Sequence, residues 1–325
     1  MKIATYNVNG IGSRLPNLLA WLKRESPDVA CLQELKAPDA RFPAADLAKA
    51  GYGAIWQGQQ SWNGVAILAK GQQPKERRRG LPGDPDDTHS RYLEAEIDGV
   101  VIGCLYLPNG NPQPGPKFDY KLAWFERLNT YAKKLFRLQQ PMVLCGDYNV
   151  VPTDFDIYDP KSWRRDALLQ PESREAYARL LKQGWVDALR SLHPDERVYT
   201  FWDYFRNHWA RNSGLRIDHL LLNKAAGAQL RAAGVDRWVR GEAHASDHAP
   251  TWIEMGSAGT SRASRDRGAG KSRGAGTGKP RASSRVGAAK GTRSPAPRKS
   301  PRPRRSAAAA SAAGTRPSRA RRPSK

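Results

Sequence analysis

The sequence predicts an α/β fold in which two mixed β-sheets pack face to face with helices on the outside. Three observations lead there. Apolar runs of strand length outnumber helical ones, hairpin signals occur beside long crossovers, and no internal repeat is visible. A purely parallel sheet would lack the hairpins, and an all-β sandwich would lack the helical crossovers.

Taken in order, strands are expected at Lys2–Asn7, Asp28–Gln33, Tyr52–Gln57 and Gly64–Lys70, with a helix at Leu15–Glu25 between the first two. Asn63-Gly64 is a hairpin signal, and Asp98-Gly99 between Tyr92–Ile97 and Val100–Leu107 is a second. A long helix, Phe118–Leu138, places Leu122, Phe125, Leu128, Tyr131 and Leu135 at helical spacing. Pro141 separates it from a strand at Met142–Gly146. A helix at Glu172–Gln183 and strands at Tyr199–Trp202, Ile217–Leu222, Val235–Val239 and Ala249–Met255 complete the layout.

Charge divides the chain. Residues 257–325 hold 20 of the 54 basic residues and a single acid, Asp266, so they carry +19 of the +23. The first 256 residues carry all ten tryptophans, and a chain of that length buries roughly 70–75% of its unfolded surface as one domain. Two regions are therefore expected, a folded body over 1–256 and a tail over 257–325. The tail is built from Ser, Ala, Gly, Pro and Arg without aromatics, which does not offset ordering entropy, so disorder is expected. Runs such as Arg298-Lys299-Ser300-Pro301-Arg302-Pro303-Arg304-Arg305 fit an arm that displaces counterions from nucleic acid non-specifically. A solubilising linker is the plainer alternative.

Cys31, Cys104 and Cys145 each fall inside an expected strand. Their odd number and lack of ligand spacing point to reduced, buried thiols and a cytoplasmic setting, nucleoid-associated in a bacterium. The chain opens straight into a strand without a signal-peptide pattern, and no apolar stretch approaches the roughly 20 residues of a membrane span. A monomer with no membrane role is expected.

Polar residues gather at the strand ends. Asn7, Glu34, Tyr106, the pair Asp147 and Asn149, Asp218 and the segment Ser246-Asp247-His248-Ala249-Pro250 each follow or begin an apolar run. One rim of a sheet would thus deliver carboxylate, amide, phenol and imidazole groups, without thiolate, to a single cleft. That donor set suits a hard divalent cation and a phosphate ester. Asp147 and Asn149 are two apart and would share a side of the chain, although an Asx-turn is the structural alternative. His244 and His248 could be read as a zinc pair, but no third nitrogen or sulfur ligand accompanies them. His219 would point away from Asp218 and reads as structural.

The motifs Tyr6-Asn7-Val8-Asn9-Gly10, Leu32-Gln33-Glu34, Asn63-Gly64-Val65-Ala66, Leu105-Tyr106-Leu107-Pro108-Asn109-Gly110, Gly146-Asp147-Tyr148-Asn149, Leu215-Arg216-Ile217-Asp218 and Ser246-Asp247-His248-Ala249-Pro250, in that order, resemble the exonuclease III family of abasic-site (AP) endonucleases. The resemblance covers about residues 1–255. It implies a four-layered α/β sandwich of two sheets flanked by helices, the DNase I-like fold, with the site at one edge of the sheets. It implies magnesium, or manganese, on Glu34 with Asn7 and Asp247 close by. Asp147 would orient or deprotonate a water, Asn149 would bind a phosphate oxygen, and His248 would be the site histidine with Asp218 as its partner. Tyr106 and Asn109 look like phosphate donors. Whether Asp147 or His248 takes the water's proton stays open at this point. Asn9 departs from the Asp of the family's eukaryotic branch, which lowers the negative charge near the ion.

The same catalytic layout serves several phosphoesterases, so substrate is argued from other residues. The segment from Tyr199 through Arg206 to Asp218 resembles the abasic-sugar pocket of these enzymes. Phe201, Trp202, Leu215 and Ile217 would wall an apolar slot for a flipped deoxyribose that lacks its base. Leu215 stands where some relatives have Trp, which would favour 3′-exonuclease or 3′-end-cleaning activity beside AP cleavage. Arg91, and with it Arg164, Arg165, Arg206 and Arg211, would contact backbone phosphates. The expected partner is double-stranded DNA with abasic or blocked 3′ ends. The alternatives are a phosphatase or RNA-directed phosphodiesterase on the same scaffold, or a DNA-binding protein acting through its tail.

Overall fold

Two six-stranded sheets organise residues 1–256, the part of the chain that the computed structural model describes. The expected disordered tail, 257–325, lies outside those residues. In the first sheet the order is β11 (Leu230–Val235), β12 (Thr251–Met255), β1 (Lys2–Asn7), β2 (Val29–Gln33), β4 (Gly64–Lys70) and β3 (Tyr52–Gly58). The second runs β5 (Lys75–Arg79), β6 (Tyr92–Ile97), β7 (Val100–Tyr106), β8 (Met142–Asp147), β10 (Asp218–Leu222) and β9 (Val186–Asp187). Each contains one parallel pair, β1–β2 and β7–β8, among antiparallel ones. Helices α1 (Ile11–Glu25) and α3 (Pro116–Phe136) are the crossovers those parallel pairs require. The shorter helices are α2 (Ala44–Lys49), α4 (Pro171–Lys182), α5 (Ala188–Leu192) and α6 (Lys224–Gly227).

Strand alternation sorts the side chains into layers. Ile3, Val29, Cys31, Ile102, Cys104, Val143, Cys145, Leu220 and Leu222 meet between the sheets in one core. Their sequence neighbours Ala4, Tyr6, Ala30 and Leu32 pack outward against α1, around Leu18 and Trp21. Val101, Leu105, Met142 and Leu144 pack outward against α3 and α4. The result is helix, sheet, sheet, helix, the four layers expected.

That alternation also places the site. Asn7, Tyr106, Asp147 and Asp218 occupy the same parity as the inter-sheet core residues of their strands, at the strand ends. The polar rim is therefore the open end of the inter-sheet layer. Tyr106 lies opposite Asp147 in β7–β8, and Asp147 lies opposite Asp218 in β8–β10. Gly146 makes the close approach feasible, because a Cβ there would fall 1.8 Å from the Leu105 carbonyl oxygen.

The Asp98-Gly99 hairpin joins Ile97 to Val100 as expected. Asn63-Gly64 ends a longer loop that closes between Gly58 and Gly64. Tyr199–Trp202 does not form a strand; Phe201 makes only isolated bridges to Leu215 and His248. Its aromatic content serves packing beside the site. The strand expected at Val235–Val239 lies earlier, at β11, and a 3-10 turn, Arg237–Gly241, follows it. The sequence Leu-Arg-Ala-Ala-Gly-Val is too weakly apolar to signal a strand. β5 was not anticipated either, because its five residues are charged and exposed, as an edge strand protected against pairing often is.

Candidate active site

Four loops and strand ends converge on Asp147. The Asn7 amide donates to Asp147 Oδ2 at 2.9 Å and to Glu34 Oε1 at 3.0 Å, tying the two sheets together. The Tyr106 hydroxyl donates to the same Glu34 oxygen at 2.8 Å. Asn149 caps Asp147 through its backbone N–H, which reaches Oδ1 at 2.8 Å, and through its amide, 3.3 Å from Oδ2. The Asx-turn, the structural alternative for this motif, is therefore present. His248 Nδ1 lies 2.8 Å from Asp218 Oδ2, and its Nε2 lies 3.8 Å from Asp147 Oδ2. Asp147, Asp218 and His248 each bring a ligand atom within 4.8 Å of the others, a grouping unique among the described residues.

The electrostatics separate the roles. Burial and the neighbouring Asp218 and Glu34 carboxylates push Asp147 up to about 7, against the opposing pull of His248. For His248, burial disfavours the charge, but Asp218, Asp147 and Asp247 outweigh it and raise the imidazole to about 10. Glu34 is also opposed by burial, yet Lys36 and the Asn7 amide hold its pKa below the ordinary carboxylate value. Asp218 Oδ1 is buried without a hydrogen-bond partner. The rim thus holds more carboxylate than its own cations neutralise, the condition a divalent ion relieves.

The remaining expected residues fall at graded distances. Asp247 is reached through Asn9, whose amide donates to Asp247 Oδ1 at 3.0 Å. Ser246 fastens this segment, its hydroxyl donating to the Asn7 carbonyl at 2.7 Å. Asn109 touches Asn149, with Nδ2 at 3.0 Å from Oδ1. Arg91 lies behind Tyr106, its guanidinium 4.8 Å from the ring centroid and bonded to the Tyr106 carbonyl. Arg164, Arg165, Arg206 and Arg211 are exposed. Phe201, Leu215 and Ile217 join Leu168 and Val151 in one apolar cluster, and the Phe201 ring stands edge-on to His248 at 5.0 Å. Trp202 does not belong to that wall. It is fully buried against Trp209 and Tyr199 on the other side of the loop. His219 is structural, bonded to Val150 and Arg216, and His244 is exposed away from the cluster.

Lys36 is a site residue that the sequence reading missed. Its Nζ lies 2.8 Å from Glu34 Oε2 and 2.5 Å from Asn9 Oδ1. A lysine three residues after a strand end looks like surface charge. Only the left-handed conformations at Glu34 and Lys36 turn it back into the cleft.

A family model described as the endonuclease/exonuclease/phosphatase family matches residues 4–248. The chain belongs to this family. Within it the chain falls in the exonuclease III branch. Exodeoxyribonuclease III of Haemophilus influenzae is 34% identical over 268 residues, which cover 78% of this chain and 100% of that protein. Among solved structures, an AP endonuclease from Archaeoglobus fulgidus shares 36% identity with a TM-score of 0.75, covering 78% of this chain and 99% of that one. A 3′ phosphatase from Neisseria, bound to product DNA hairpin, shares 38% identity with a TM-score of 0.76, covering 79% and 99%. As a member of the family the chain is a metal-dependent phosphodiester-cleaving nuclease, and the oxygen-rich donor set fits the metal.

Proposed function

We propose that the protein is a magnesium-dependent DNA-repair nuclease that hydrolyses the phosphodiester 5′ to an abasic site in duplex DNA and also clears 3′ ends. The observation that carries this reading is the convergence of Asp147, Asp218 and His248 beside Glu34 at the open end of the inter-sheet layer. Relatives named for exodeoxyribonuclease III, AP endonuclease and 3′ phosphatase activity, matched over nearly their full lengths, support DNA as the substrate.

Glu34, with Asn7 and Asp247 nearby, would hold the cation, which would supply neutralisation of charge on the phosphate. Oxygen donors without thiolate favour magnesium, with manganese as a substitute. Asp147, whose carboxylate is made more basic than usual by burial and its acidic neighbours, is placed to take a proton from the attacking water. His248 keeps its proton and donates from Nε2 to a non-bridging oxygen, while Asp218 fixes Nδ1. Tyr106 and Asn149, whose polar hydrogens now serve Glu34 and Asp147, are the next donors within reach. Products are a 3′-hydroxyl and a 5′-deoxyribose phosphate. Phe201, half-buried and edge-on to His248, offers the apolar surface that suits a sugar without a base, while Leu215 and Ile217 are buried with it in the same cluster and support it from behind. The tail over 257–325 adds non-specific, salt-dependent affinity to a monomeric enzyme.

Duplexes carrying one abasic site or one 3′-phosphate test this reading. Cleavage 5′ to the lesion and loss of the phosphate should both require added magnesium and stop with chelator. Turnover of poly(A) or an inositol phosphate with no action on either duplex would overturn it.

A further inference from the structure

Lys121 faces the core from the start of α3 and is fully buried. Its partners are carbonyls, not carboxylates. Nζ donates to Asn149 at 2.6 Å, to Asn109 at 3.0 Å and to Ala167 at 3.4 Å. Burying an ammonium is costly, and an apolar side chain of similar volume would close this helix without that cost. The cost shows in the lysine itself, whose pKa burial pushes down in spite of the nearby Asp166 and Asp147. Apolar packing gives no reason for a charge at this position.

The three carbonyls give one. They belong to separate segments: the loop after β7, the loop after β8, and the stretch before α4. An ammonium has three N–H donors and meets three acceptors, so it fixes these segments in three directions at once. Two of the residues it holds, Asn109 and Asn149, carry amides that contact each other at 3.0 Å. Asn149 also contacts Asp147 and sits at φ 47, in the left-handed region that asparagine adopts more readily than other non-glycine residues. Gly110 opens the way for the lysine stem, since a Cβ there would fall 2.6 Å from Lys121 Cδ. Thus the Asn109-Gly110 pair in the Leu105–Gly110 motif and Lys121 form one device.

We propose that Lys121 is a positioning residue, which sets the Asn109 and Asn149 amides against Asp147 and the scissile phosphate by holding the carbonyls of three loops. The proposal rests on the phosphodiesterase reading of the site. Its test is a double-mutant cycle in the full-length protein with Lys121→Met, Asn149→Ala and the pair, read as kcat and KM on the 3′-phosphate duplex. Lys121→Met should lower kcat about 10²-fold, the scale of a small misplacement at a reacting centre, with KM little changed. The pair should be less impaired than the product of the two single effects, because part of what Lys121 positions is the Asn149 amide. Lys121→Gln, which retains amide donors, should recover part of the lost rate.

Multiplying effects in the pair, or near-normal kcat in Lys121→Met, would overturn the proposal. A Lys121→Met chain that does not melt cooperatively is replaced in the cycle by Lys121→Gln. Failure of both to fold also overturns it, because the side chain would then serve folding alone. The side-chain amide resonances of Asn109 and Asn149 read the same contact without turnover. They should shift in Lys121→Met; unchanged resonances reject the proposal, whereas a wild type inactive on every DNA duplex rejects the functional reading instead.

Discussion

Arg216 and Asp218 stand two residues apart and belong to opposite kinds of electrostatics. Arg216 is buried between two carboxylates, 2.7 Å from Asp156 Oδ1 and 2.7 Å from Asp187 Oδ2. Arg190 adds a second cation to Asp156, and the Tyr177 hydroxyl donates to Asp187. Every charge there has its partner. Burial opposes ionisation of Asp156, but Arg216 and Arg190 more than compensate and hold it down to about 2. At the catalytic rim the balance is reversed. Carboxylates crowd one another, Asp147 is raised to about 7, and Asp218 keeps an oxygen without a partner. A buried ionic network that closes on itself is structure, while one left short of cations is poised for a ligand.

The largest expected effects break this comparison at its two carboxylates. Asp147→Asn should lower turnover on an abasic duplex by about 10²–10⁴-fold, the contribution of a positioned general base. Because it also relieves carboxylate crowding, its thermal midpoint should match or exceed that of the wild type. Asp156→Asn should do the reverse. Turnover should stay within a few-fold, while removing one partner of a buried pair destabilises by about 3–5 kcal/mol in urea unfolding. An Asp156→Asn protein as stable as wild type would erase the distinction.

Acid and base should separate the regions next. His219, in the network, is depressed to about 4 by burial and by Arg216, so it is neutral when folded and takes up a proton when unfolded. Its contribution is present above about 6.5 and is lost as pH falls from there towards 4. Asp156 continues the loss as pH falls from about 3.8 towards 2. His248 has the opposite sign. Its folded value near 10 gives stability that is fully present below about 6.5 and is lost as pH rises towards 10. Each histidine limb is worth on the order of a few kcal/mol. Asp218→Asn should flatten the alkaline limb of a urea-midpoint profile and leave the acid limb in place.

The smallest effect concerns the tail. A chain ending at Gly256 should cut the same lesion, with a shallower fall of binding against salt because fewer phosphates are neutralised. Equal slopes with and without residues 257–325 would reject a role for the tail in DNA binding.

Much of this contrast was legible in the sequence, and the illegible part has a common cause. Short apolar runs in β1, β2, β7 and β8 mark the strands, and polar residues at or just past their ends mark the rim, because both signals are local. Lys121 and Asn129 hid because charged or amide residues on a helix normally face water. The expected apolar face named Leu122 and Tyr131, but these are half-buried on the flank, while Lys121 and Asn129 take core positions against backbone carbonyls. Lys36 hid for a similar reason. Its partner Glu34 was expected as a ligand, but the left-handed turn joining them has no composition signature. Trp202 misled in the other direction, since an aromatic beside a site motif reads equally as pocket wall or as core.

One titration tests the account most directly. In full-length protein kept with chelator, the imidazole nitrogen resonances of His248 and His219 can be followed from acid to alkaline pH. His248 should remain protonated through neutrality and titrate near 10, with His219 neutral above about 4. A His248 that loses its proton near 6.5, like a free imidazole, would contradict the carboxylate-rich rim on which the proposed chemistry stands.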